Sequence, residues 1–245
     1  RGNLATSYRQ AGRTNEAIGI EEGVVTDLQR LLGREHPHTL TARANLATSY
    51  LQAGRTAEAI ELLEQVAADR ERLQGSEHPD TLTSRGNLAA SYRQAGRTVE
   101  AIELLKQAAA DRERLLGSEH PSTLTVRSNL ASAYYQAGRT VEAIELLEQV
   151  AADRERLLGS EHPSTLTARS NLAGVYYQAG RTVEAIELLK QAAADGERLL
   201  GSEHPDTLTA RSNLAGAYRQ AGRTSEAIEI EEGLVADRER LLGGA

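Results

Sequence analysis

Residues 43–60 read Arg-Ala-Asn-Leu-Ala-Thr-Ser-Tyr-Leu-Gln-Ala-Gly-Arg-Thr-Ala-Glu-Ala-Ile, and variants of this phrase recur at a step of 42 residues. The asparagine of the phrase falls at Asn3, Asn45, Asn87, Asn129, Asn171 and Asn213. A His-Pro pair keeps the same step, at His36, His78, His120, His162 and His204. A fixed period of this length marks stacked copies of one supersecondary unit, each touching only its neighbours. The 245 residues therefore read as one array of about six repeats. Its segments are 1–33 (truncated), 34–75, 76–117, 118–159, 160–201 and 202–245.

Within one repeat the punctuation predicts two helices. Pro37 suits a first helical turn, where a missing N–H costs nothing. The helix runs to about Ala53, and Gly54 suits the stop. Thr56 has N-cap chemistry, and Glu58 favours the positive end of the next helix, which runs to about Leu73 and stops at Gly75. No segment alternates in the manner of a strand. At about 100° per residue, Leu40, Leu46, Ala47 and Tyr50 share one arc of the first helix, with Thr41, Asn45, Thr48 and Gln52 opposite. In the second helix Ala59, Ile60, Leu62, Leu63, Val66 and Leu73 form a broad apolar arc. Glu61, Glu64, Ala68 and Arg72 face away from it.

Leu46, Ala47, Tyr50, Gly54 and Ala59 together resemble the tetratricopeptide repeat pattern, whose usual period is about 34 residues. The longer step and the His-Pro loop are similar to the 42-residue repeats of the kinesin light chain class. The resemblance implies an all-α, right-handed α-solenoid superhelix of helix-turn-helix units, with first helices lining a concave groove. It also implies peptide binding, without activity of its own.

One position departs from the kinesin-type pattern. Arg43, Arg85, Arg127, Arg169 and Arg211 stand in the middle of the buried arc. A buried guanidinium must be paired. Asp69, Asp111, Asp153, Asp195 and Asp237 recur at the edge of the second helix's apolar arc, so an Arg–Asp ladder between helices is expected, fixing register more than adding stability.

Asn45, Asn87, Asn129, Asn171 and Asn213 are the leading binding candidates. Each amide offers a donor and an acceptor to a peptide bond. The competing reading has them bonding a neighbouring helix end. Gln94, Gln136 and Gln178 extend the polar stripe. The residue after the repeat tyrosine varies along its rim, and Arg93, Tyr135, Tyr177 and Arg219 there have hot-spot chemistry. Small residues at Thr48, Ala90, Ser132, Gly174 and Gly216 leave room beside them. Five of the six histidines sit one per repeat, roughly a helix diameter of 10 Å apart, and the sixth, His38, flanks Pro37 beside His36 without helper ligands. Metal bonds are about 2 Å long, so a loop cap is the better reading and no metal or other cofactor is expected.

Composition narrows the classes. The net charge of −7 counts against nucleic acid, which demands a basic face. No apolar run is long enough for a membrane helix. There is no cysteine for disulfide or thiolate chemistry, and a cytoplasmic location is expected. Carboxylates recur with the period on helix backs and first turns, and no nucleophile elbow, phosphate-cradling loop or HExxH occurs.

Residues 118–158 and 160–200 differ at six places, one of them Arg154 against Gly196. Glu64, Lys106, Glu148 and Lys190 alternate in sign. The outer copies share Ile20-Glu21-Glu22-Gly23 and Ile230-Glu231-Glu232-Gly233, where Glu21 and Glu231 replace leucine and a mid-helix glycine weakens packing. Arg1 starts partway through a first helix and the last helix stops at Leu242, so head-to-tail self-association through complementary ends is expected. The expected function is a non-catalytic scaffold for a protein or peptide ligand. The alternatives are a structural spacer and a regulatory arm of a larger signalling protein.

Overall fold

The computed structural model describes the backbone of residues 2–243 and the side chains of residues 4–240. The expectations placed on Arg1, on the Asn3 side chain and on Leu242 lie outside the described side chains. Twelve helices occur among the described residues: α1 (Gly2–Gln10), α2 (Thr14–Leu32), α3 (Pro37–Gln52), α4 (Thr56–Gln74), α5 (Pro79–Gln94), α6 (Thr98–Leu116), α7 (Pro121–Gln136), α8 (Thr140–Leu158), α9 (Pro163–Gln178), α10 (Thr182–Leu200), α11 (Pro205–Gln220) and α12 (Thr224–Gly243). There is no strand among them, and no described helix is long and apolar enough to cross a membrane.

The chain forms two compact units, Arg1–Val126 and Arg127–Ala245. In the first, α1 to α6 pack in sequence, each helix on the next, and in the second α8 to α12 do the same. The fold class is therefore an all-α solenoid of paired helices. Fully buried alanines (Ala47, Ala59, Ala173) let the helices approach closely, and Ile60, Leu63 and Leu88, or Ile186, Leu189 and Leu214, fill the space between them.

The faces agree with the wheel. Leu40, Leu46 and Ala47 are buried, whereas Thr41, Asn45, Thr48 and Gln52 are exposed. Leu73 differs, being 45% exposed. The second helix has 19 residues against 16 in the first, so its last turn runs past the surface that would cover it.

The turn within each helix pair also differs from expectation. Gly54 takes the left-handed conformation, φ 76°, as a stop requires. The N-cap of α4 is Arg55 rather than Thr56, and it makes no side-chain cap bond. Its guanidinium instead lies 4.2 Å over the Tyr50 ring, while its Nε donates to Glu58 Oε1 at 2.7 Å. The same stacking holds Arg181 over Tyr176 and Arg223 over Tyr218. At the other end the histidines are the true caps: the Nδ1 atoms of His36, His78, His120, His162 and His204 accept from the backbone N–H two residues on, at 3.1–3.2 Å.

The Arg–Asp ladder is present inside each of the five repeats that follow the truncated first one. Arg43 pairs with Asp69 at 3.0 Å, Arg85 with Asp111 at 2.8 Å, Arg127 with Asp153 at 3.6 Å, Arg169 with Asp195 at 3.2 Å and Arg211 with Asp237 at 2.5 Å. A second carboxylate comes from the preceding second helix, Glu71 for Arg85 and Glu155 for Arg169, each at 2.8 Å. One guanidinium thus ties together two second helices.

The outer copies keep their helices despite the altered text. The helix α2 runs unbroken through Gly23, and Glu21 is 6% exposed, with Arg9 3.9 Å from Oε1 while Oε2 is buried without a hydrogen-bond partner. At Gly233 an added Cβ would meet Arg211 Nη2 at 2.6 Å. That glycine makes room for the ladder arginine.

Candidate functional site

The five described asparagines lie on first helices α3, α5, α7, α9 and α11, and all are exposed. Their side chains make no hydrogen bond to another side chain or helix end among the described residues. Gln94, Gln136 and Gln178 are exposed at the ends of α5, α7 and α9.

The rim residues are less free than the sequence implied. Arg93, Tyr135 and Tyr177 are half-buried. Burial lowers the Arg93 guanidinium pKa. Tyr177 packs against the core of α9, α10 and α11. Arg219 is exposed but donates to Glu231 of α12 at 2.5 Å. That bond gives Glu231, a carboxylate where the four central repeats carry leucine, its partner.

In the second unit these residues converge. Tyr177, Gln178, Asn213 and Arg219 line one cleft of about 380 Å³, whose floor includes Gly174 and Gly216. A bulky residue at either glycine would project into that space. Asn171 and Asn213 both line a neighbouring cavity of about 240 Å³ between α9, α10 and α11, together with Gly196, Thr167 and Asp206. The sequence reading missed this second cavity. Its signal was the loss of Arg154's counterpart at Gly196.

The chemistry available is hydrogen bonding, stacking and charge. No group of three or more His, Asp or Glu able to hold a metal occurs among the described residues. The pKa shifts follow from the scaffold. Burial, then the hydrogen bond to Glu64, pushes the Tyr92 hydroxyl up to about 12. Burial and Glu148 do the same for Tyr176, also to about 12.

A tetratricopeptide repeat model matches residues 1–72, 45–114, 80–156, 128–195 and 164–232. The chain belongs to the tetratricopeptide repeat family. No curated protein matches it. Among solved structures, the chain is similar to a Podosopora anserina putative kinesin light chain described as having nearly identical TPR-like repeats. The identity is 43% over 84% of this chain and 98% of that one, with a TM-score of 0.76, and a single-substitution form of the same protein gives 0.77. BtubC (BKLC) from P. vanneervenii, at 20% identity, shares the fold over 94% of this chain and 92% of its own, with a TM-score of 0.78. MamA does so at 19% identity and a TM-score of 0.54, over 80% of this chain and 96% of its own. Repeats of this family generally serve as protein-interaction scaffolds.

Proposed function

We propose that the first-helix face holds an extended peptide segment of a partner protein, without chemical transformation. The observation that carries this reading is the convergence of Asn213, Tyr177, Gln178 and Arg219 on one cleft. An exposed, unpartnered amide can donate to a peptide carbonyl and accept from its N–H. Repeated along the helices, such amides bind backbone and tolerate sequence variation, while the Tyr177 and Arg219 rim discriminates among side chains. The test is selection from a displayed random peptide library, followed by affinity measurement on the Asn129→Ala/Asn171→Ala double variant. Two lost hydrogen bonds weaken binding roughly tenfold or more. Unchanged affinity removes the asparagines from the site.

End-to-end association of copies is a second reading, favoured by one observation. Ile186 is 5% exposed, packed under α11, whereas its counterpart Ile228 on α12 is 49% exposed, beside Val235 at 54%. Sedimentation equilibrium checks it: mass should rise with protein concentration, and Ile228→Glu should hold the chain monomeric.

A further inference from the structure

One break in the repeat leaves a hole shaped by the side chain that is missing. In α4 the Arg70 guanidinium is buried: Nη1 donates to the Asp80 carbonyl at 3.1 Å and to Ser84 Oγ at 2.8 Å, and Nη2 donates to Thr41 Oγ1 at 3.1 Å. In α8 its counterpart Arg154 donates to the Ser164 carbonyl at 3.1 Å, and burial lowers its pKa. The next counterpart, in α10, is Gly196, and the cavity of about 240 Å³ lies beside it.

The wall of that cavity keeps two of the three acceptor positions. Thr167 corresponds to Thr41 and Asp206 to Asp80, while Ala210 replaces Ser84. Thr167 Oγ1 donates to the Pro163 carbonyl at 2.8 Å, which leaves its lone pairs free to accept. No cationic residue lines the cavity, and the one charged lining residue is Asp206, whose side chain is 84% exposed.

The geometry points to this cavity as a socket for an arginine side chain of the bound peptide. The incoming guanidinium donates to the Asp206 carbonyl and Thr167 Oγ1, as Arg70 does to their counterparts, with the Asp206 carboxylate adding charge at the mouth. A planar fork bridges two acceptors better than the point charge of lysine. Asn171 and Asn213 line the same cavity, so a peptide anchored on those amides passes its mouth, and to that extent the inference rests on the proposed function. The chain cannot refill the hole without cost. A Cβ at position 196 would lie 2.9 Å from Thr207 Oγ1, so Gly196 also lets α11 come close.

The probe is N-acetylarginine amide, followed by amide chemical shifts of the isotope-labelled chain. Saturable shifts are expected at Thr167, Gly196 and Asp206, with N-acetyllysine amide at least about fivefold weaker and N-acetylcitrulline amide without effect. Absence of shifts at these residues up to tens of millimolar probe, or equal shifts with the citrulline analogue, overturns the socket. Gly196→Arg should abolish the shifts. If the Thr207 clash unfolds that variant, Thr167→Val, at an exposed position, should still weaken probe binding several-fold, and unchanged binding overturns the inference. The two readings separate because the probe spans no asparagine row. Failure of the amide row alone would leave these shifts intact while peptide affinity ignores the asparagine substitutions.

Discussion

Arg43 donates to Asp69 at 3.0 Å with its side chain 1% exposed, so the most polar residue of α3 lies in the middle of its buried face. The carboxylate is only partly covered, at 21%. Gln65 takes the second Nη at 2.7 Å, and no buried donor is stranded at this guanidinium's two charged ends. The pair fixes where α3 sits along α4, because sliding either helix by one turn separates the two groups by about 5 Å.

Truncation and isosteric replacement should therefore diverge. Arg43→Ala leaves a cavity and an unpaired Asp69, and should cost about 3 kcal/mol in urea unfolding. Arg43→Met combined with Asp69→Leu removes both charges and keeps the volume, and should stay within about 1 kcal/mol of the parent. Equal losses for both would show that the charge pair itself supplies the stability.

Alternation of Glu and Lys on the second helices has a structural reading. The Tyr176 hydroxyl donates to Glu148 at 2.5 Å, and Arg181 lies 3.7 Å from the same carboxylate. Tyr218 and Arg223 form the equivalent stack one repeat later, where the facing residue is Lys190. Lys190→Glu should add an acceptor for Tyr218 and raise stability by about 1 kcal/mol, seen as an upward shift of the thermal midpoint.

The histidine caps are separable from any ligand chemistry. His162 Nδ1 accepts from the Ser164 N–H at 3.1 Å at the start of α9. His162→Ala should cost about 1 kcal/mol, and His162→Asn should recover most of it. Equal stability of the alanine and asparagine variants would discount the cap.

Alkali should loosen the stack in a definite window. Tyr92 and Tyr176 are raised from the ordinary 10.0 to about 12, chiefly by burial and then by their glutamate partners. The neutral hydroxyl is the form the fold favours, so this contribution is complete below pH 10 and is lost as pH rises toward 12. Absorbance of the phenolate should show Tyr50, Tyr92 and Tyr176 titrating late, since burial and a glutamate partner also raise Tyr50. Tyr92→Phe should remove one of them and flatten the alkaline loss.

Much of the candidate face was legible before any coordinates. Asn45, Asn87, Asn129, Asn171 and Asn213 are exposed because a helix turns by a fixed angle, and that angle puts them opposite Leu46 and its counterparts. The ion pair of Arg219 was not legible, because its partner, Glu231, lies on the next helix. Nothing local in the chain encodes that reach.

The sequence by itself determined the 42-residue unit, its two helices, the buried and exposed faces and the need for an Arg–Asp ladder between helices. Each of these follows from rotation per residue or from the need to neutralise a buried charge. Only the tertiary structure decided that Arg85 also holds Glu71, that Arg55 rather than Thr56 stands at the helix start, and that Gly196 borders a cavity. Those outcomes depend on the distance between neighbouring helices. Side-chain volume across a contact sets that distance, and one strand of text carries no direct record of it.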